Sequence, residues 1–119
     1  MKLLTTLLLL TLLVAEDSVV ISWQTDTVHE FGDLLQDEPA TVVFKFKNIS
    51  GQPVVIESVR PTCGCTAPDW DFTPIPPDST GQLAITFDAK KTGFFSKKVK
   101  VFFSGQRKAE RLYIEGFVE

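Results

Sequence analysis

One histidine, one methionine, one tyrosine and two cysteines are all that the 119-residue chain holds of those types. Each scarcity excludes something. Two cysteines cannot build a multi-bridge disulfide framework or a four-cysteine zinc site. One histidine leaves general acid–base chemistry with few carriers. Seven glycines and seven prolines are ordinary numbers, so collagen and low-complexity disorder do not fit. Lysine and arginine number 12 against 15 acids, a formal charge of −3, which argues against a general nucleic-acid binder. No Gly-x-Ser-x-Gly, His-Glu-x-x-His or Asp-x-Asp-x-Asp-Gly pattern occurs. What is plentiful is phenylalanine, with ten residues. The length suits one domain with one modest core.

The first fifteen residues stand apart. Lys2 supplies a positive start, Leu3 to Val14 carries no charge, and Ala15 precedes Glu16 and Asp17. This is the layout of a secretory signal peptide cut near Ala15, although Leu13 occupies a position where a small residue is preferred. An apolar helix of about 12 residues rises only about 18 Å, short of a hydrocarbon core of about 30 Å, so a stable membrane span is not expected. The expectation is an exported protein, periplasmic or secreted, with residues 16–119 as its single domain. Loss of Lys2 takes the formal charge from −3 to −4. An oxidising compartment changes how the two cysteines read.

Beyond Ala15 the hydrophobic period is two. Val42, Phe44 and Phe46 alternate with Val43, Lys45 and Lys47; Leu83, Ile85 and Phe87 alternate with Ala84, Thr86 and Asp88. Phe95, Val99, Val101 and Phe103 share one parity, interrupted by Lys97, while Ser96, Lys98, Lys100 and Phe102 share the other. Leu112, Ile114, Gly116 and Val118 form the last apolar set, Val19 to Trp23 reads as a first strand, and Pro53 to Val59 is rich in β-branched residues. No window carries a helical stripe. Asn48-Ile49-Ser50-Gly51 reads as a turn, because Asn and Gly tolerate positive φ and Asn and Ser bond to nearby backbone. Its Asn-x-Ser glycosylation pattern is read the same way, as a turn. Pro61 to Thr80 holds five of the seven prolines, and proline cannot donate to a ladder, so this stretch is loop or edge. Together these features predict an all-β, antiparallel sandwich or barrel.

Cys63-Gly64-Cys65 is the sharpest local feature, with three readings. A disulfide could close here, because Gly64 removes a Cβ and a turn can bring the two Cα atoms within bonding range. So short a loop is worth only about 1.6 kcal/mol in chain entropy, against about 3 for fifteen residues, which makes it a poor staple and a plausible redox switch. Two thiolates could instead bind a soft ion such as Cu(I) or Zn, with His29 or an acid completing the set. Or both cysteines serve loop architecture alone. A bridge between sheets, as in antibody domains, is excluded by the spacing.

These residues carry a family resemblance. Val42 through Asn48, Pro53 through Ile56, Val59, Thr62-Cys63-Gly64-Cys65-Thr66, Pro68 and Trp70 resemble the domain of unknown function 1573 family. Pro74-Ile75, Pro77, Gly81, Leu83, Ile85, Gly93, Phe95, Lys97, Lys98 and Leu112 through Val118 continue the likeness in order. His29-Glu30-Phe31-Gly32 is similar to that family's opening turn. The resemblance implies an exported Bacteroidetes-type protein with an immunoglobulin-like β-sandwich of about seven strands, and it brings no biochemical activity. Two turns depart from the family pattern: Ser50 stands in a glycine place, and Pro77-Asp78 replaces Pro-Gly.

Other candidates are weighed against plain structural roles. His29 could act as a base only if the fold brings it to Cys63 or Cys65; otherwise it is a turn histidine. Asp69 and Asp71 flank Trp70 as paired carboxylates, as help in binding Ca²⁺ or, without an Asp-x-Asp-x-Asp-Gly loop, as a solvated loop. Charge is lopsided: seven acids and no Lys or Arg lie between Glu16 and Phe44, whereas Lys90 to Arg111 holds eight basic residues and one acid. Lys97, Lys98, Lys100 and Phe102, with Phe94 on the same parity as the last three, form a candidate interaction face for an acidic protein, an anionic glycan or a membrane surface. Alternatively the lysines protect a strand edge from aggregation. The expectation is a non-catalytic interaction or structural module of the envelope. It should need no cofactor, and its partner should be another envelope protein. The alternative is a thiol–disulfide or soft-metal-handling protein using Cys63 and Cys65.

Overall fold

The computed structural model describes residues 18–119, so the signal segment expected at Met1–Ala15 lies outside the described residues. Eight strands form, one more than expected: β1 (Ile21–Trp23), β2 (Val28–Leu34), β3 (Ala40–Asn48), β4 (Ile56–Pro61), β5 (Thr66–Trp70), β6 (Thr80–Phe87), β7 (Gly93–Phe103) and β8 (Glu110–Val118). No helix is present among the described residues. The strands make two four-stranded sheets, ordered β1-β3-β6-β5 and β2-β8-β7-β4. All ladders are antiparallel except β2–β8, which is parallel.

The alternation explains the core. Phe44, Phe46, Leu83, Ile85 and Phe87 point inward from the first sheet, and Phe95, Val99, Val101, Phe103, Leu112, Ile114 and Val118 point inward from the second. Burying each large side chain is worth roughly 1.5–3 kcal/mol. One end of the core is aromatic: Trp23 meets Phe46 at 5.7 Å and Phe103 at 6.0 Å between ring centroids, both edge to face. The indole N–H of Trp23 donates to Glu110 at 2.9 Å, which ties β1 to β8 across the two sheets. At the other end Phe87 and Phe95 stack at 3.9 Å.

One strand was not foreseen, and a second falls in the stretch read as loop or edge. The residues His29-Glu30-Phe31-Gly32, read as a turn, lie within β2; His29 turns inward and its ring meets Phe31 at 4.7 Å. The irregular part is the bulge between Glu30 and Asp33, where Gly32 has φ 73°. Gly116 on the neighbouring strand must be small, since an added Cβ would sit 2.8 Å from the Gly32 carbonyl oxygen. β5 lies inside the proline-rich stretch and is an edge strand, as its proline content permits: Pro68 pairs with Ile85 and donates nothing.

The Asn48 turn uses one of its two expected means, side chains of Asn and Ser bonded to nearby backbone, and not the other. No residue from Asn48 to Gly51 has positive φ. Instead Asn48 is fully buried and clamps the turn. Its amide donates to the carbonyls of Gln52 (2.8 Å) and Ile75 (2.9 Å), and its oxygen accepts from Ser50 N–H (2.8 Å) and O–H (2.9 Å). Pro76 to Ser79 has the pattern of a type II turn, with Pro77 at its second position, Asp78 at φ 65° and the Ser79 N–H donating to the Pro76 carbonyl at 3.1 Å.

Candidate functional site

Cys63-Gly64-Cys65 occupies the loop that carries the chain from β4 in one sheet to β5 in the other. A set of hydrogen bonds holds it. Thr62 donates its N–H (3.2 Å) and hydroxyl (3.1 Å) to the Lys98 carbonyl on β7. Buried Thr66 donates its hydroxyl back to the Cys63 carbonyl at 3.0 Å. The Cys65 carbonyl accepts from Asp88 N–H at 2.9 Å, and the Cys65 N–H donates to Cys63 Sγ at 3.1 Å. In this frame the two cysteines form a disulfide with Cα atoms 5.1 Å apart. Gly64 is not required for steric reasons, because a Cβ there would meet nothing within 4 Å.

The bridge borders a cavity of about 390 Å³ whose floor is the Phe87–Phe95 stack and whose rim carries Lys90, Lys91 and Lys97. His29 does not reach it. β2 and β4 are opposite edges of one sheet, three strand spacings or about 14 Å apart. No group of three or more His, Cys, Asp or Glu placed to hold a metal ion occurs among the described residues. A soft ion on the reduced thiolates would therefore need ligands from elsewhere. Asp69 and Asp71 line an open cleft with Trp70 and Phe72, but Asp71 is committed locally. Its carboxylate accepts from the N–H (2.9 Å) and hydroxyl (2.8 Å) of Thr73, and these bonds hold its pKa below the ordinary value.

The lysines separate into two places. Lys97 has the parity of Val99 and Val101 and belongs to the disulfide cavity. Lys98, Lys100 and Phe102 lie on the outer face of β7, together with Phe94, which is 71% exposed. β7 is flanked by β8 and β4, so these lysines protect no edge. The ladder adds residues that sequence did not reveal. Arg60 on β4 stands opposite Lys100, and Lys100 stands opposite Arg111 on β8, a row of three cations across three strands. The Arg60 guanidinium lies over the Phe102 ring, 4.9 Å from its centroid. On the same face Glu30 stands opposite Glu115. Like charges placed directly opposite are unfavourable, and no carboxylate pairs with Arg60, Lys98, Lys100 or Arg111 among the described residues.

Fold and face together define an immunoglobulin-like β-sandwich, with two sheets packed over one core and one outer face of segregated charge. The chain belongs to the family described as protein of unknown function (DUF1573), matched over residues 21–118. No curated protein matches it. Among solved structures it is similar to a protein of unknown function from Porphyromonas gingivalis W83 (TM-score 0.69, 18% identity), covering 88% of this chain and 49% of that one, so the chain spans about half that protein's length. It is also similar to the ASH/PapD-like domain 7 of human CEP192, with TM-score 0.71, 11% identity, and 99% and 98% coverage. The VesB protease of Vibrio cholerae is similar over 82% of this chain but only 32% of its own (TM-score 0.67, 12% identity). Likeness at these identities is a likeness of fold.

Proposed function

We propose that this protein is a non-catalytic, exported module that docks on an envelope protein through the outer face of β2-β8-β7-β4. The observation that carries this reading is the cation row Arg60–Lys100–Arg111, with which no carboxylate pairs among the described residues. A sheet face serving only as a solvated surface has no need to set three cations side by side. A docking face does, because complementary charge sets partner and register. The export expectation rests on Met1–Ala15. The test uses the protein in its native compartment under mild crosslinking. Lys98→Glu with Lys100→Glu should remove the adducts that the wild type forms, while Lys45→Glu on the other sheet should leave them. Adducts unchanged by the first pair of changes would contradict the reading.

A second reading is favoured by one specific arrangement, the disulfide beside three lysines. On reduction by a dithiol protein, two electrons and two protons would pass to Cys63 and Cys65. Nearby ammonium groups favour the thiolate form that exchanges. Titration against glutathione tests it, and a bridge that resists mild reductant would remove it.

A further inference from the structure

We infer that the partner of this face is a second copy of the same chain, related by a two-fold axis that crosses the strands at Lys98 and Tyr113. The inference rests on the docking reading above and names its occupant. Along β7 the outward residues run Phe102, Lys100, Lys98, Ser96, Phe94; along β8 they run Arg111, Tyr113, Glu115, Phe117. The register sets Lys100 beside Arg111, Lys98 beside Tyr113, Ser96 beside Glu115 and Phe94 beside Phe117. β4 extends the cation row with Arg60, and β2 adds Val28 beside Tyr113 and Glu30 beside Glu115. Read along the strands, the face is aromatic, cationic, mixed, acidic, aromatic.

That order is its own complement about the middle row. Outward positions repeat about every 6.8 Å along a strand, and Arg111 and Glu115 lie one such step either side of Tyr113. A half-turn about an axis between two stacked sheets, across the strands at Tyr113, lays Arg111 of each copy on Glu115 of the other. The same turn sets Lys100 over Ser96 and beside Glu115 of the second copy. It also brings Phe102 onto Phe94, which lies 71% exposed in the single chain. Lys98 and Tyr113 lie on the axis, so each meets its own counterpart in the second copy, with each Lys98 one strand spacing to the side of a Tyr113 ring. Arg111 and Glu115, each beside a like charge within one chain, meet an opposite charge between two. A C2 interface is isologous, so every such contact occurs twice.

The contact is small. Four strands about 4.8 Å apart, over about 27 Å of length, bury roughly 1,000 Å² in total, at the low end for specific interfaces. The dimer should be weak, reversible and salt-sensitive.

The test is sedimentation equilibrium on the purified protein. Arg111→Glu alone and Glu115→Arg alone should each weaken self-association at least tenfold, since each sets like charges together twice. Mixing the two single variants should restore association to within a few-fold of wild type, because the mixed pair is complementary at both contacts. Circular dichroism of each variant checks that the fold is intact. Wild-type protein that stays monomeric to millimolar concentration, single variants that dimerise like wild type, or a mixture that does not recover would each overturn the proposal. If face-dependent adducts persist in the native compartment while the wild type is monomeric, the docking reading stands and only its occupant falls.

Discussion

Glu30 and Glu115 stand opposite each other across the parallel β2–β8 pair. Their shared hydrogen bond, with desolvation and mutual repulsion adding to it, raises the pKa of Glu30 above its ordinary value of 4.5. A carboxyl with a raised folded pKa favours the folded chain most when protonated. Its contribution is therefore fully present below about pH 4.5 and is lost as pH rises through the higher folded value. Glu30→Gln keeps a hydrogen-bond donor and removes the charge. Thermal melts of dilute protein should show the variant more stable than wild type at pH 7, with the difference vanishing near pH 3.5. Equal melting points at both pH values would contradict this account.

Asn48 is the polar centre of the β3–β4 turn. Asn48→Ala removes four hydrogen bonds at a fully buried position, while the Ile75 carbonyl keeps the Val54 N–H and the Gln52 carbonyl keeps the Ser50 hydroxyl. With each lost hydrogen bond worth about 0.5–1.5 kcal/mol, urea denaturation should show a loss of about 2–4 kcal/mol. Asn48→Asp should also destabilise, because it removes both donated bonds. A loss under about 1 kcal/mol for the alanine variant would mean that the turn is held elsewhere.

Two glycines separate steric need from loop habit. Gly116→Ala would place a methyl 2.8 Å from both the Gly32 carbonyl oxygen and the Phe95 ring, and should cost about 1–3 kcal/mol. Gly64→Ala meets open space and should change stability by less than about 0.5 kcal/mol, with the disulfide still formed. Reversal of that order in chemical denaturation would contradict the packing described here.

The disulfide spans a short loop, so its loss should matter little to stability. Cys63→Ser with Cys65→Ser should cost no more than about 1.6 kcal/mol. Thiol titration of unfolded wild-type protein should find no free thiol before reductant and two after it. A loss well above that figure would make the bridge a structural staple after all.

Much of this fold was legible in local alternation. The inward sets of β3, β6, β7 and β8 follow directly from the period of two, and Lys97 already broke the parity of Phe95 and Val99 in the sequence. β2 was hidden because Gly32 and the bulge interrupt its alternation, whereas the prolines around β5 already marked its stretch as loop or edge, and it is an edge. The Asp78 turn was legible, since Asp tolerates the positive φ that replaces a family glycine. The candidate face was only half legible. Lys98, Lys100 and Phe102 share one strand, so their common side follows from parity. Arg60, Arg111, Glu30 and Glu115 join them through strand register, a non-local property set by how whole strands pair. His29 was left in reach of the cysteines by sequence, and sheet order places it at the far edge.

Site-specific photo-crosslinking in the native compartment tests the central claim most directly. A photoreactive phenylalanine analogue replaces Tyr113, at the middle of the charged face, or Val43, exposed on the outer side of the other sheet. The docking account predicts strong adducts from position 113 and few from position 43, and the two-fold arrangement predicts an adduct of twice the chain mass. Equal yields from both positions, or no adduct from position 113, would contradict the account.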